Sequence, residues 1–418
     1  MFWLLTMLGA IGEVVEVYTG HYIGEVVPTP RKARYFDDFL PLYDLRAGGP
    51  LACVVLPPEP HPLERRAALE ISAQVGYVAL GEPKASLPLV SSEGAEGFSV
   101  VISVGRTALA RSPKVEPPSH PEGYAIRMAR RGDRWLVACL GRGPIGTFYA
   151  VQSLLQLVTA RSGRVVVRRA EVLDWPGYRI RSHQFDGGFP SPEVALFTLR
   201  WMEKFKLNQL GFGQAYDKPM EWRRLDEERL RRLKFLCNEA RRRGTVRVCF
   251  YVHPFRSKPE FNIRICKSEE VDAIVELCRT ALREGAGGIM LRADDIHPLS
   301  EEDRKAFGDK ATAHAHLIRE MDRRLRAEFP DMLFMFCPPY YQGYWLDREE
   351  GRAYLGKVGK LLPEDVVVIW TGPVTRSLEI KSEDLDRYAR AIGRTPMLLS
   401  LIHISEPTRP RLISYAVF

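Results

Sequence analysis

Apolar positions along this chain recur at two spacings, and the change from one to the other divides it. In the first 170 or so residues, strand-like and helix-like patterns alternate. LACVVL (51–56) reads as a buried strand, 61–75 has helical spacing, and FSVVISV (98–104) reads as a further strand. EGYAIRMARRGDRWLVACLG then alternates apolar and polar residues on both sides of Arg131, Gly132 and Asp133, which predicts a hairpin. A helix over 145–158 and a strand starting at 165–167 complete a small α/β domain.

Leu173, Asp174, Trp175, Pro176 and Gly177 punctuate the chain as a domain junction does. Beyond them the pattern is regular. Strand-like 178–183 precedes a helix at 192–206, then 207–212 a helix at 226–243, and 246–252 a helix at 268–284. Next come 288–291 with a long helix at 302–328, 332–336 with a helix near 352–361, and 366–370 with a helix at 383–392. A seventh strand starts over 397–401.

Six β/α units and the start of another predict an α/β fold of the (β/α)8 TIM type, truncated after about six to seven units. A doubly wound open sheet is the alternative, but no glycine-rich phosphate loop follows its first strand. The expected division is an N-terminal segment 1–24, an accessory α/β domain 25–174, the barrel 175–398 and a tail 399–418. That tail, LSLIHISEPTRPRLISYAVF, does not continue the strand–helix logic and reads as foreign sequence.

Composition narrows the class. A chain of 418 residues, 45% hydrophobic and 27% charged, has material for two globular domains and a sizeable core. Seven cysteines show no CxxC or Cys/His spacing, and Cys53, Cys139 and Cys249 sit inside apolar strands. That usage suits reduced thiols and a cytoplasmic protein, with secretion the alternative. The opening MFWLLTMLGAIGEVVEV lacks a basic leader and a cleavage site, and falls short of the ~20 residues that cross a bilayer. No membrane role is expected.

The net charge of +8 raises nucleic acid as a partner. The basic residues are scattered along amphipathic helices, however, and Arg241, Arg242 and Arg243 close a helix before Gly244, where cations suit the dipole. No nucleic-acid partner is expected. Gly141, Gly143 and Gly146 form a GxGxxG between a strand and a helix. The strand belongs to a hairpin, so the motif reads as a tight turn feeding a helix N-terminus rather than a dinucleotide site.

In a parallel barrel the chemistry lies at the C-terminal ends of the strands. Those ends carry Asp186 and Gly187, then Gln214 to Asp217, His253, Asp294 and Asp295 with His297, Cys337 to Tyr341, and Thr371. The set is polar, aromatic and rich in carboxylates, as a sugar site requires. Asp294 and Asp295 are its sharpest feature. Two carboxylates at one rim cannot both ionise freely, so one is pushed towards acting as an acid near neutral pH. The plain alternative is that one of them caps the next helix or pairs with Arg292.

GGIMLRADDIHPLSEEDRKAF, LFMFCPPYYQGYW and DVVVIWTGPVTRSLEI, in this order and spacing, resemble the Asp-Asp, Cys-Pro-x-x-Tyr and Trp-Thr-Gly strands of glycoside hydrolase family 84. That family contains O-GlcNAcases and bacterial hyaluronidase-type β-N-acetylglucosaminidases. GYAIRM, GPIGTFYAVQSLLQLV and VLDWPGYRIR resemble the small α/β domain preceding the barrel there and in family 20 hexosaminidases.

The resemblance runs over roughly residues 25–398. It implies a retaining hydrolase of N-acetylglucosamine-bearing glycoconjugates in which the substrate's 2-acetamido oxygen is the nucleophile. Asp294 would orient the acetamido N–H, and Asp295 would be acid, then base. Cys337, Tyr341 and Thr371 match positions lining the N-acetyl pocket, and Gly187 a glycine near the sugar hydroxyls. No cofactor or metal is implied.

The chain departs from the family at two loops. His183, Gln184, Phe185, Asp186 and Gly187 stand where the family has Glu-Gly-Phe-Tyr-Gly, and Gln214 to Asp217 replace a Pro-Lys-Asp-Asp setting. Asp186 and Asp217 are the candidates for the hydroxyl contacts. Three rival readings stay open. One is a metal hydrolase using Asp294, Asp295, His297 and His253, though no HExxH or DxDxDG occurs and His314 and His316 do not share a helix face. The others are a family 20 hexosaminidase or α-glucuronidase-like barrel, and a non-catalytic carbohydrate-binding relative.

Overall fold

The computed structural model describes residues 24–82, 84, 86–111, 116–185, 189–213, 221–255, 261–294 and 297–400, with the backbone of 6–8 and 14–16. The chain separates into two compact units. One comprises Met1–Arg179 with Arg200–Lys206, the other Ile180–Leu199 with Leu207–Phe418.

In the first unit β1 (Thr6–Leu8) and β2 (Val14–Glu16) pair antiparallel. The main sheet uses β3 (Lys32–Asp44), β4 (Gly49–Pro50), β5 (Ala52–Val55), β6 (Leu89–Val90) and β7 (Val100–Val104). It continues with β8 (Tyr124–Arg131), β9 (Arg134–Gly141), β10 (Val158–Arg161) and β11 (Arg164–Asp174). Its order is β4-β3-β11-β8-β9-β7-β5-β6, with β10 on β11. Helices α1 (Pro62–Leu80) and α2 (Pro144–Leu155) complete the unit. Alternate strand residues such as Val54, Ile102, Ile126, Val137 and Val167 join Ile71, Val75, Phe148 and Leu154 of these helices in one core.

The hairpin is where the alternation put it, with Gly132 at φ 58° in the turn between β8 and β9. β9 also pairs parallel with β7, so the strand before GxGxxG has neighbours of both kinds. The glycines of that motif answer to packing. A Cβ on Gly141 would lie 2.0 Å from the Thr147 amide nitrogen, and one on Gly146 2.3 Å from the Gly123 carbonyl oxygen. The long β3 is absent from the sequence reading, because two aspartates and Pro41 obscure its alternation. Pro41 faces Val166 beside a register shift, the kind of place where a strand tolerates proline.

The second unit repeats strand and helix. It contains β12 (Ser182–Phe185), α3 (Pro192–Lys204), β13 (Gln209–Gly213), α4 (Glu227–Arg243), β14 (Arg247–Val252) and α5 (Ser268–Arg283). Then follow β15 (Gly288–Arg292), α6 (Glu301–Phe307), α7 (Lys310–Arg326), β16 (Leu333–Cys337) and α8 (Glu349–Leu361). Last are β17 (Val367–Trp370), α9 (Ser382–Ile392) and β18 (Met397–Leu398). Among the described residues these seven strands lie side by side in chain order, each parallel to the next. Among the described residues this is the wall of a (β/α) barrel, and a small α/β domain precedes it in the chain.

The strands are apolar on both faces, as parallel strands under helices must be. Cys249, Tyr251, Met290, Met335, Cys337 and Ile369 form the interior cluster. By alternation, Val248, Phe250, Ile289, Leu291, Phe334 and Phe336, all buried, turn the other way to meet helices such as α5, which buries Val271, Ile274, Val275, Cys278 and Leu282. Gly211 admits the largest interior side chain, since a Cβ there would stand 1.6 Å from the Tyr251 hydroxyl oxygen.

Two expectations are corrected. The helix expected over 302–328 is two helices. Gly308 at φ 80° closes α6, and the Asp309 carboxylate accepts from the Thr312 amide to open α7. A C-terminal glycine followed at once by an N-cap aspartate is a stop and a start. The first barrel strand, expected at 178–183, occupies 182–185.

Candidate functional site

The site is built from the ends of β14 to β17. β14 delivers His253 directly after Val252, and the neighbouring β15 delivers Asp294 two residues after Arg292. The Ala293 amide still donates to the Cys337 carbonyl oxygen at 2.8 Å, so the chain stays docked on β16 up to Asp294.

Asp294 is held from two sides. His253 Nε2 lies 3.0 Å from Oδ1, and Arg292 donates to Oδ2 through Nη2 at 2.7 Å and Nε at 3.1 Å. Burial opposes ionisation of this carboxyl, but the His253 hydrogen bond and the Arg292 guanidinium outweigh it and hold it far below the usual carboxylate range. Asp294 therefore does what the plain alternative allowed: it pairs with Arg292. It does not cap the next helix, where the Ser300 hydroxyl accepts from the Asp303 amide. Asp294 is consequently an acceptor at any physiological pH and cannot itself donate a proton.

Cys337, Tyr341 and Thr371 come together at the ends of β16 and β17. Cys337 is in the interior cluster and Tyr341 packs against it. The Thr371 amide donates to the Tyr341 carbonyl oxygen at 2.9 Å. The loops beyond are stitched by Gly343 N–H to the Gly372 oxygen, Tyr344 N–H to the Pro373 oxygen, and Thr375 N–H to Gln342 Oε1. Asp186, Gly187, Asp217 and Asp295 lie outside the described residues, as does 401–418 of the expected tail.

His297 meets Phe255 and His314. It is buried, with Nε2 3.2 Å from His314 Nε2 and its ring stacked on Phe255. His316 lies instead against Phe307. Among the described residues no group of three or more His, Cys, Asp or Glu side chains is arranged to hold a metal ion. Among them too, no helix is long and apolar enough to cross a membrane. The sequence reading missed the roles of Phe255, His314 and Tyr354, which lie on other elements and carry no motif.

Comparisons with known proteins bear on the family and the fold. A family model described as β-N-acetylglucosaminidase matches residues 191–413. A second, for domain 2 of glycosyl hydrolase family 20, matches residues 25–175. Two curated relatives, Protein O-GlcNAcase of Rattus norvegicus and of Mus musculus, are each 26% identical over 218 residues, covering 51% of this chain and 23% of theirs. The chain thus spans less than a quarter of their length. Among solved structures, CpGH84B has a TM-score of 0.65 at 18% identity, covering 90% of this chain and 61% of that one. CpGH84D has a TM-score of 0.63 at 17% identity, covering 90% and 60%. At these identities the likeness concerns the fold.

Proposed function

Because this chain belongs to the β-N-acetylglucosaminidase family of glycoside hydrolases, family 84, we propose that it hydrolyses terminal N-acetylglucosaminides with retention, the 2-acetamido group of the substrate serving as nucleophile. The observation that carries this reading is the state of Asp294. A carboxylate held ionised by His253 and Arg292 at the end of the fourth strand is suited to accept the acetamido N–H. It also opposes ionisation of a carboxyl next to it, which supports Asp295 as the proton donor.

In the first step the acetamido oxygen attacks C1 and the C1–O bond to the leaving group breaks. Asp295 gives its proton to the departing oxygen, and the positive charge on the oxazolinium-like ring lies against Asp294. In the second step Asp295 takes a proton from water, whose oxygen attacks C1 and reopens the ring. Net inversion twice is retention. Cys337, Tyr341 and Thr371 line the N-acetyl pocket, and Gly187, Asp186 and Asp217 serve the sugar hydroxyls. No redox partner or cofactor enters this sequence of bonds.

The partner is a carbohydrate or glycoconjugate bearing N-acetylglucosamine, with neither nucleic acid nor membrane required. The seven free cysteines, all buried except Cys266, favour a reducing compartment such as the cytoplasm. We take 25–174 as the accessory domain and 175–398 as the catalytic barrel. The test is turnover of aryl β-N-acetylglucosaminides whose acetyl methyl carries none, one, two or three fluorines. Participation of the acetamido oxygen requires kcat to fall steeply along the series. A flat series would remove that mechanism, and binding of N-acetylglucosamine without turnover would leave a carbohydrate-binding relative.

A further inference from the structure

The first unit of the chain carries a cleft that the reaction just described does not use. β3, β11 and β8 lie side by side in the main sheet, and α1 and α2 pack with Ile126 and Val172 on one of its faces. Side chains alternate along a strand, so Ala125, Arg127, Glu171 and Leu173 turn to the other face. There a cleft of about 630 Å³ opens, with Lys32 and Arg34 of β3 and Glu116 also in its lining. Ala125 and Leu173 belong to a small apolar cluster with Ala138 and Leu140, which gives the cleft its floor.

The charges in the cleft follow from strand register. Arg34 stands opposite Glu171, and because Val172 pairs with Ile126, Arg127 stands beside Glu171 on its other side. The row therefore runs cation, carboxylate, cation. Glu171 engages Arg127, with N and O 2.5 Å apart. Arg34 rests its guanidinium on the Phe36 ring at 4.7 Å, a contact made through its flat face, so its N–H edge stays available. Arg34 and Lys32 are both exposed, and among the described residues neither has an ion-pair partner.

These features select a ligand by its chemistry. Two cations without ion-pair partners call for an anion, and the fork of Arg34 matches the two oxygens of a carboxylate. Glu116 and Glu171 speak against a nucleic acid, whose closely spaced phosphates they would repel. Sugar hydroxyls, by contrast, donate to carboxylates, and the apolar floor suits the C–H face of a sugar ring. The volume is that of a small-ligand site. We propose that this cleft binds an acidic oligosaccharide: Arg34 and Lys32 hold a uronate carboxylate, while Glu171 and Glu116 accept from hydroxyls. The site is separate from Asp294 and Asp295 and requires no turnover.

The test is titration calorimetry of the full chain with a tetramer of galacturonate, a uronate that lacks the acetamido group of the proposed substrate. The tetramer should bind, more weakly as salt rises, and the neutral galactose tetramer should not. Arg34→Ala and Lys32→Ala should each weaken binding about 10- to 100-fold, the loss expected of one charge-assisted hydrogen bond. Arg34→Lys keeps the charge without the fork and should fall between Arg34→Ala and the wild type. None of the three should alter turnover of an aryl β-N-acetylglucosaminide.

Equal binding of the neutral tetramer, or undiminished binding in both alanine variants, would overturn the proposal. So would the absence of uronate binding at millimolar concentration. A short single-stranded DNA that binds more tightly than the tetramer, with the same dependence on Lys32 and Arg34, would make the cleft a nucleic-acid site instead. If Arg34→Ala fails to fold, Lys32→Ala decides by the same ratio. A wild type that binds the uronate without any turnover leaves this proposal standing and removes only the hydrolase.

Discussion

Nε2 of His253 stands 3.0 Å from Oδ1 of Asp294, joining the ends of two neighbouring barrel strands. The contact leaves Asp294 no freedom to turn away, and it explains how a mostly buried carboxylate can stay charged beside an apolar interior. Replacing His253 by Phe should lower kcat on an aryl N-acetylglucosaminide by about 10- to 100-fold, as misplacement of an orienting group does. Steady-state kinetics with a thermal melt check this, and an unchanged kcat would show that Arg292 alone suffices.

The two aspartates should fail differently when amidated. Asp294→Asn removes the charge facing the acetamido group and should cost about 10²- to 10³-fold in kcat whatever the leaving group. Asp295→Asn removes the proton donor and should cost about 10²- to 10⁴-fold on alkyl leaving groups. On dinitrophenyl substrates its glycosylation step should be nearly untouched, read in single-turnover experiments. Matching profiles for the two variants would contradict the division of roles.

Stability at low pH carries the sign of the Asp294 shift. Its folded pKa is depressed, so the unfolded chain binds this proton first as pH falls. The Asp294 contribution is complete above the unfolded value of about 3.9 and declines as pH drops below it towards the folded value. Urea unfolding at several pH values below that point should show a shallower decline in Asp294→Asn than in the wild type. Parallel declines would mean that the carboxyl is not held ionised.

Arg292 and Asp294 are 13% and 12% exposed, so removing one partner strands a charge with little water. Arg292→Met should destabilise the fold by roughly 3–5 kcal/mol, as loss of one member of a buried pair does. Adding Asp294→Asn should cost less than the sum of the two single changes, because the stranded charge disappears. Denaturant melts of the three variants decide it.

Gly211 gives a packing test distant from charge. Alanine there would place its Cβ 1.6 Å from the Tyr251 hydroxyl oxygen, and overpacking of this kind costs roughly 1–3 kcal/mol. Tyr251→Leu removes that oxygen together with the ring carbon Cζ, which would lie 1.9 Å from the same Cβ, so the double variant should be more stable than additivity allows. Strict additivity would mean that the ring moves elsewhere at no cost.

What could be read from sequence is what depends on near neighbours in the chain. RVCFYV announces β14 and SEEVDAIVELCRTALR announces α5, because burial against a layer imposes a period that appears locally. The barrel, its preceding α/β domain and the position of Asp294 at a strand end all follow from such periods. Even a local signal is lost when the period runs through it. Gly308 and Asp309 break α6 from α7 without interrupting the apolar spacing, so one helix was expected where two exist.

Partnership is different. That Asp294 is gripped by His253, that His297 meets His314, and that His314 meets the Tyr354 hydroxyl are facts about residues on separate strands and helices. Sequence alone determined which side chains are delivered to strand ends and which are turned to the core. Tertiary structure decided which of them meet, and so which carboxyl is kept charged. Ionisation and hydrogen bonding depend on distances of a few ångströms and on exclusion of water, and neither exists until the strands are side by side.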